Sequence, residues 1–214
     1  MQMNPSEIDL RQRARTQALL QAQLGETTSV GPALDATLAT DQLQRFVDAC
    51  VQRHYGQIWT AQQAQWWAHC QRVLVDNFGA QPQIPLQADP VLLPLGAASG
   101  PLSYDLVALL RPMHEAWDEA QELDWAVRYW EQARRTALPV PLDFGEFWQQ
   151  LEWTGLQRHL SLLGALCGNT TVEPAELPLL MAHAIKVATR YKQLSPLAQL
   201  LGELRGGLLQ AGFR

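Results

Sequence analysis

Gly100-Pro101-Leu102-Ser103-Tyr104-Asp105-Leu106-Val107-Ala108-Leu109-Leu110-Arg111 sets a turn directly before an apolar helix. Gly-Pro is turn punctuation, and the run after it has no breaker until Pro112. The spacing predicts a helix over about 103–113. Asp105 then falls in its first turn, where the helix dipole favours a carboxylate.

Upstream, Thr40 is expected to cap a helix carrying Leu43, Phe46, Val47, Cys50 and Val51 on one face and ending near Gly56. Thr60 is expected to cap a second one, with Trp66, Trp67, Cys70, Val73 and Leu74, ending near Gly79. The four prolines between Ala80 and Gly100 predict loop. Downstream, helices are predicted over about 117–136 (Trp117, Leu123, Ala126, Val127, Trp130), 143–167 (Phe147, Leu151, Thr154, Leu156, Leu160, Leu163), 174–191 and 196–211. Residues 1–40 have a different character. Ser6 and Asp9 form a capping-box-like pair, and a thin stripe of Leu10, Ala14, Ala18 and Leu20 runs to a stop at Gly25. The stretch 26–40 is rich in Thr, Gly and Pro and reads as a linker. No repeat and no strand ladder is evident. The expected fold is all-α, a helical bundle with no substantial sheet, organised as an N-terminal helix and linker (1–40) and a helical domain (41–214).

The chain of 214 residues, 47% apolar with eight Trp, can bury a sizeable core. A net charge of −5 argues against nucleic-acid and anionic-membrane partners. No signal peptide and no stretch of about 20 apolar residues is visible. Three cysteines without paired spacing suggest free thiols and a cytoplasmic location.

The 100–111 run resembles the segment after the catalytic centre in the aminoglycoside phosphotransferase/choline kinase-like family. Residues 153–165, with Gly155-Leu156-Gln157-Arg158-His159-Leu160, are similar to a helix of the bacterial N-acetylmuramate/N-acetylglucosamine anomeric kinases, which act in peptidoglycan recycling. Arg53-His54-Tyr55-Gly56, Leu177-Pro178, Arg190-Tyr191 and Leu194-Ser195-Pro196-Leu197 extend the resemblance over about 41–204. It implies the helical C-lobe of a protein-kinase-like phosphotransferase, with Asp105 as an anchor for the catalytic loop.

The same resemblance exposes absences. The family uses a β-rich lobe with a Lys on the ATP phosphates, and a catalytic loop with a base Asp, an Asn five residues on and a second Asp, the last two holding magnesium. Residues 1–40 contain no Lys; the only two are Lys186 and Lys192. Asp89 falls where the base belongs, but Pro94 stands five residues later, and the ten residues between Asp89 and Gly100 include no acidic group. The N-lobe and the metal-binding part of the loop are therefore read as missing.

The leading expectation is a degenerate, non-catalytic kinase-like protein, a pseudokinase, with no cofactor. It would keep an amino-sugar-binding or protein-docking role. One alternative is a sugar kinase that uses Mg-ATP when a partner supplies the ATP-binding lobe, with Asp89 as base. Another is a helical interaction module, and residues 1–24 are a candidate homodimer surface. Arg158 is the candidate for a substrate carboxylate and His159 its neighbour, against the more common reading of a buried ion pair and a satisfied core histidine. Cys50 with His54 and His69 with Cys70 lack the paired spacing of a metal site, and Cys50 sits in an apolar stripe.

Overall fold

The computed structural model describes residues 5–24, 33–86, 99–113, 118–168 and 176–211. Asp89, Pro94 and Trp117 lie outside them, as do residues 26–32 of the expected linker, whose last residues, 36–40, are instead helical; the side chains of Ser6, Asp9 and Leu10 are not described. Among the described residues eight α-helices follow in chain order: α1 (Pro5–Leu24), α2 (Ala36–Arg45), α3 (Ala61–Ala80), α4 (Tyr104–Leu110), α5 (Glu119–Arg135), α6 (Phe144–Gly168), α7 (Leu177–Arg190) and α8 (Ser195–Ala211). A π-helical stretch, Phe46–His54, continues α2, and a 3₁₀ turn, Lys192–Leu194, precedes α8. Among the described residues the fold is all-α apart from one small hairpin, β1 (Gln83–Pro85) with β2 (Ser99–Pro101).

That hairpin falls inside the stretch expected to be loop. Its strands pair antiparallel, Ile84 opposite Gly100, and the Leu34 amide adds a bond to the Ser99 carbonyl at 2.7 Å. Proline is tolerated because Pro85 and Pro101 end their strands. Gly100 is needed for close approach. A Cβ there would sit 3.1 Å from Leu34 Cβ and collide with Leu86 Cδ1.

The chain forms two compact units, Met1–Leu34 with Gln81–Gly155, and Asp35–Ala80 with Leu156–Arg214. In the first, α1 packs on α4 and α5. Its core holds Leu106, Val107, Leu110, Trp125, Tyr129, Phe147 and Leu151. In the second, α2 packs on α3, and α8 on α3 and α7. Leu177, Leu180, Met181, Ala184 and Val187 form the buried face of α7, and Leu197, Leu200, Leu201 and Leu204 that of α8.

Three local expectations change. First, α2 begins at Ala36, with Asp35 as its cap, Oδ1 accepting from the Leu38 amide at 2.9 Å. Thr40 is inside the helix, its hydroxyl donating to the Ala36 carbonyl at 2.7 Å. Second, the inward face of α5 is Glu122, Trp125, Ala126, Tyr129 and Ala133, while Leu123 is exposed. Third, α1 turns Ala14, Gln17, Ala18 and Gln21 inward and leaves Leu20 exposed. The Thr60 cap is as expected: Gln63 N–H donates to Thr60 Oγ1 at 3.2 Å, and Thr60 N–H to Gln63 Oε1 at 2.9 Å.

Candidate functional site

The 100–111 run is held by buried polar partners at several positions along its length. Ser103 sits at the N-cap of α4, but its hydroxyl does not cap the helix. It lies 2.6 Å from Gln81 Oε1 and 2.8 Å from Thr154 Oγ1, while Gln81 Nε2 donates to Thr154 Oγ1 at 2.9 Å. Thr154 Oγ1 donates in turn to the Gln150 carbonyl at 2.8 Å. This triangle joins the entry to β1, the start of α4 and the middle of α6. Buried hydroxyls and amides need such partners, since each left unpaired costs about 1–3 kcal/mol.

Asp105, in the first turn of α4, is buried. Gln17 of α1 donates to its Oδ2 at 3.4 Å. One turn along α1, Gln21 accepts from the Tyr129 hydroxyl and donates to the Leu102 carbonyl at 3.4 Å. Burial pushes the Tyr129 phenol far up, and the Asp105 charge adds to it. Tyr129 therefore stays a neutral donor.

Arg111 closes the run. Its Nε donates to Glu122 of α5, and its Nη2 lies 3.6 Å from Glu152 Oε1 of α6. All three residues are buried. Trp148 lies 5.9 Å from the guanidinium carbon, and a Cβ at position 155 would come within 2.6 Å of Nη1, so glycine stands there. The roles of Gln17, Gln21, Gln81, Glu122 and Glu152 are not visible in sequence, where Gln and Glu on a helix or in a loop read as solvated positions.

Arg158 and His159 belong to the second unit. Arg158 is 5% exposed and His159 fully buried, its ring 5.4 Å from that of His183. Asp105, in the first unit, is thus not part of the same unit as this pair. The Cys and His residues near 50–70 go to separate partners. Cys50 shares a hydrogen bond with Cys167. His69 donates from Nε2 to the Gln193 carbonyl at 3.1 Å, and Cys70 Sγ lies 3.9 Å from the same oxygen. Burial pushes the Cys70 thiol up to about 11, so it stays protonated and inert at neutral pH. Among the described residues no three His, Cys, Asp or Glu side chains gather as metal ligands, and no helix is long and apolar enough to cross a membrane.

On the surface of the first unit, Trp130, Glu131, Arg134 and Arg135 line an open hollow of about 410 Å³. Arg134 stacks over the Trp130 ring at 4.9 Å.

No family model matches the chain. It is similar to proteins named N-acetylmuramate/N-acetylglucosamine kinase: 34% identical to that of Neisseria meningitidis over 91% of this chain, 27% to that of Pseudomonas putida over 82%, and 26% to that of Pseudomonas aeruginosa over 96%. Each matched stretch, of 215, 194 and 223 positions, is longer than the share of this 214-residue chain it takes in, so each relative carries residues inside the match that this chain lacks. The chain spans 64%, 57% and 66% of the lengths of these three amino-sugar kinases, under two thirds of each.

Proposed function

We propose that this chain is a non-catalytic, amino-sugar-kinase-like protein. It keeps the helical scaffold on which such kinases hold their acceptor and lacks the means to hold a metal-bound phosphoryl donor. The observation that carries this reading is internal to the chain. Between β1 and β2, Asp89 is followed by no Asn at the fifth position and by no acidic residue before Gly100. Phosphoryl transfer depends on metal ions bridging and neutralising the phosphates, and a lone carboxylate cannot supply that. The residues that the named kinases carry within the match, and this chain does not, support the same reading.

The retained role would be to bind an amino sugar or to dock a protein within peptidoglycan recycling in the cytoplasm. Arg158 is the residue we assign to a sugar carboxylate, because its forked guanidinium matches one. Titration calorimetry with Mg-ATP tests the loss of the donor site: no heat is expected at millimolar ATP, and micromolar binding would sink the reading. A thermal-shift series with N-acetylmuramate and N-acetylglucosamine tests the retained ligand. Only a molecule that binds the folded state raises the midpoint.

A further inference from the structure

We propose that Cys50 and Cys167 form a reversible disulfide, a redox switch that joins the π-helical stretch to the last turn of α6 within the second unit.

Three observations carry it. Both residues are free thiols and buried, Cys50 completely and Cys167 with 7% of its surface reaching solvent. The two thiols influence one another, the hydrogen bond between them raising Cys50 and lowering Cys167. The backbones that carry them meet at unusually short range, because α6 presents Gly164 and Gly168 to the π-helical stretch. A Cβ at Gly164 would lie 2.7 Å from the Phe46 nitrogen, and one at Gly168 would lie 4.0 Å from Ala49 Cβ. A disulfide requires Cβ atoms about 3.5–4.5 Å apart. One residue from Cys50 and Cys167 the backbones already approach within that range, at Ala49 and Gly168, and rotation about each Cα–Cβ bond then has only the sulfurs to bring together. Cys70, the third thiol, is buried against the Gln193 carbonyl and serves as an internal control.

The hydrogen bond also divides the roles. It holds the Cys167 thiol below its ordinary range, and together with burial pushes the Cys50 thiol far above it. Cys167, which touches solvent, is the nucleophile. Its thiolate attacks one oxygen of a hydroperoxide; the O–O bond breaks, the second oxygen leaves as water or an alcohol, and Cys167 becomes a sulfenic acid. Cys50 then gives up its proton and attacks the sulfenyl sulfur. The S–O bond breaks and its oxygen leaves as water. Two thiols lose two electrons and the peroxide gains them. A dithiol reductant reverses the step by thiol–disulfide exchange.

The test uses the full chain. The native protein is treated with equimolar hydrogen peroxide, alkylated and mapped. Its three free thiols should fall to one, with Cys50 and Cys167 in a single cross-linked peptide that dithiothreitol splits. Cys70→Ser should still lose two thiols. Cys50→Ser should stop at a Cys167 sulfenic acid that dimedone traps. Three unchanged thiols in the wild type, a disulfide through Cys70, or over-oxidised Cys167 beside intact Cys50 would each overturn the proposal. The wild-type map decides even if a variant folds poorly.

Discussion

Gln17 of α1 donates to the Asp105 carboxylate across 3.4 Å, with both side chains buried. The N-terminal helix is therefore tied by a polar bond to the run that begins at Gly100. Among the described side chains of α1 the buried apolar ones are Ala14 and Ala18, which bury little area, so the polar bonds of Gln17 and Gln21 add to its hold. Gln17→Ala removes a donor from a buried carboxylate and should cost about 1–3 kcal/mol. Urea denaturation of the full chain checks this. A loss within error of zero would mean that the bond contributes nothing.

This clasp also shows where sequence reading stops. The apolar faces of α6 and α7 were legible because Leu, Met and Val recur there at helical spacing, and helices 103–113 through 196–211 were expected within a few residues of where they form. In α1 the inward positions Gln17 and Gln21 are polar, so the periodicity pointed to Leu20, which is exposed. In α5, Glu122 is buried because Arg111 neutralises it, and no pattern within α5 signals a partner eleven residues upstream. Of the candidate site, Asp105 was legible from its place in a helix start. Its partner was not, since that contact spans 88 residues of sequence.

Gly164 and Gly79 are both helical glycines, yet they should respond in opposite directions. A Cβ at 164 meets the Phe46 nitrogen at 2.7 Å and its Cα at 2.9 Å, both backbone atoms that cannot step aside. Gly164→Ala should cost about 1–3 kcal/mol through overpacking. At Gly79 a Cβ meets nothing within 4 Å. Gly79→Ala should therefore stabilise by up to about 1 kcal/mol, the helix-propensity difference. Thermal melts of the two variants side by side test the pair; equal effects would discount the close crossing.

Ala137 adopts φ 57°, the left-handed region, just after α5. Its amide bonds the Arg134 carbonyl at 3.3 Å and the next amide, Leu138, bonds the Ala133 carbonyl at 2.9 Å. That is the Schellman pattern, with alanine where glycine is usual. The left-handed conformation costs an L-residue about 1–2 kcal/mol, part of which glycine returns through its looser unfolded chain. Ala137→Gly should raise stability by about 0.5–1 kcal/mol in urea titration, whereas the same change at Ala133, right-handed helical in the last turn of α5 and buried, should lower it.

Alkaline pH should weaken the fold through Cys70. Its folded thiol is raised to about 11 from an ordinary 9.0, chiefly by burial. Below pH 9.0 both states hold the proton and stability does not change on its account. Above that the unfolded chain releases the proton first, so stability falls until the pH passes the folded value, by at most about 1.4 kcal/mol per pH unit. Tyr129, also raised by burial, pulls the same way at higher pH. Cys70→Ala should flatten the decline between pH 9.0 and about 11. An unchanged slope in denaturation midpoints across that window would rule Cys70 out as its source.

The buried Arg111–Glu122–Glu152 cluster gives the largest expected loss. One guanidinium serves two carboxylates from different helices, with Glu152 1% exposed and Arg111 6%. Arg111→Ala strands both carboxylates in a site that cannot solvate them, at a cost of about 3–5 kcal/mol. Arg111→Lys keeps the charge but not the planar fork that reaches Glu122 from Nε and Glu152 from Nη2, so it should rescue only part of that loss. Arg111→Met combined with Glu122→Gln and Glu152→Gln removes all three charges and should lie closer to wild type than Arg111→Ala does, because the penalty comes from unpaired charge rather than from lost packing. If the triple variant proves as unstable as Arg111→Ala in urea, packing against Trp148, and not charge, is what Arg111 supplies.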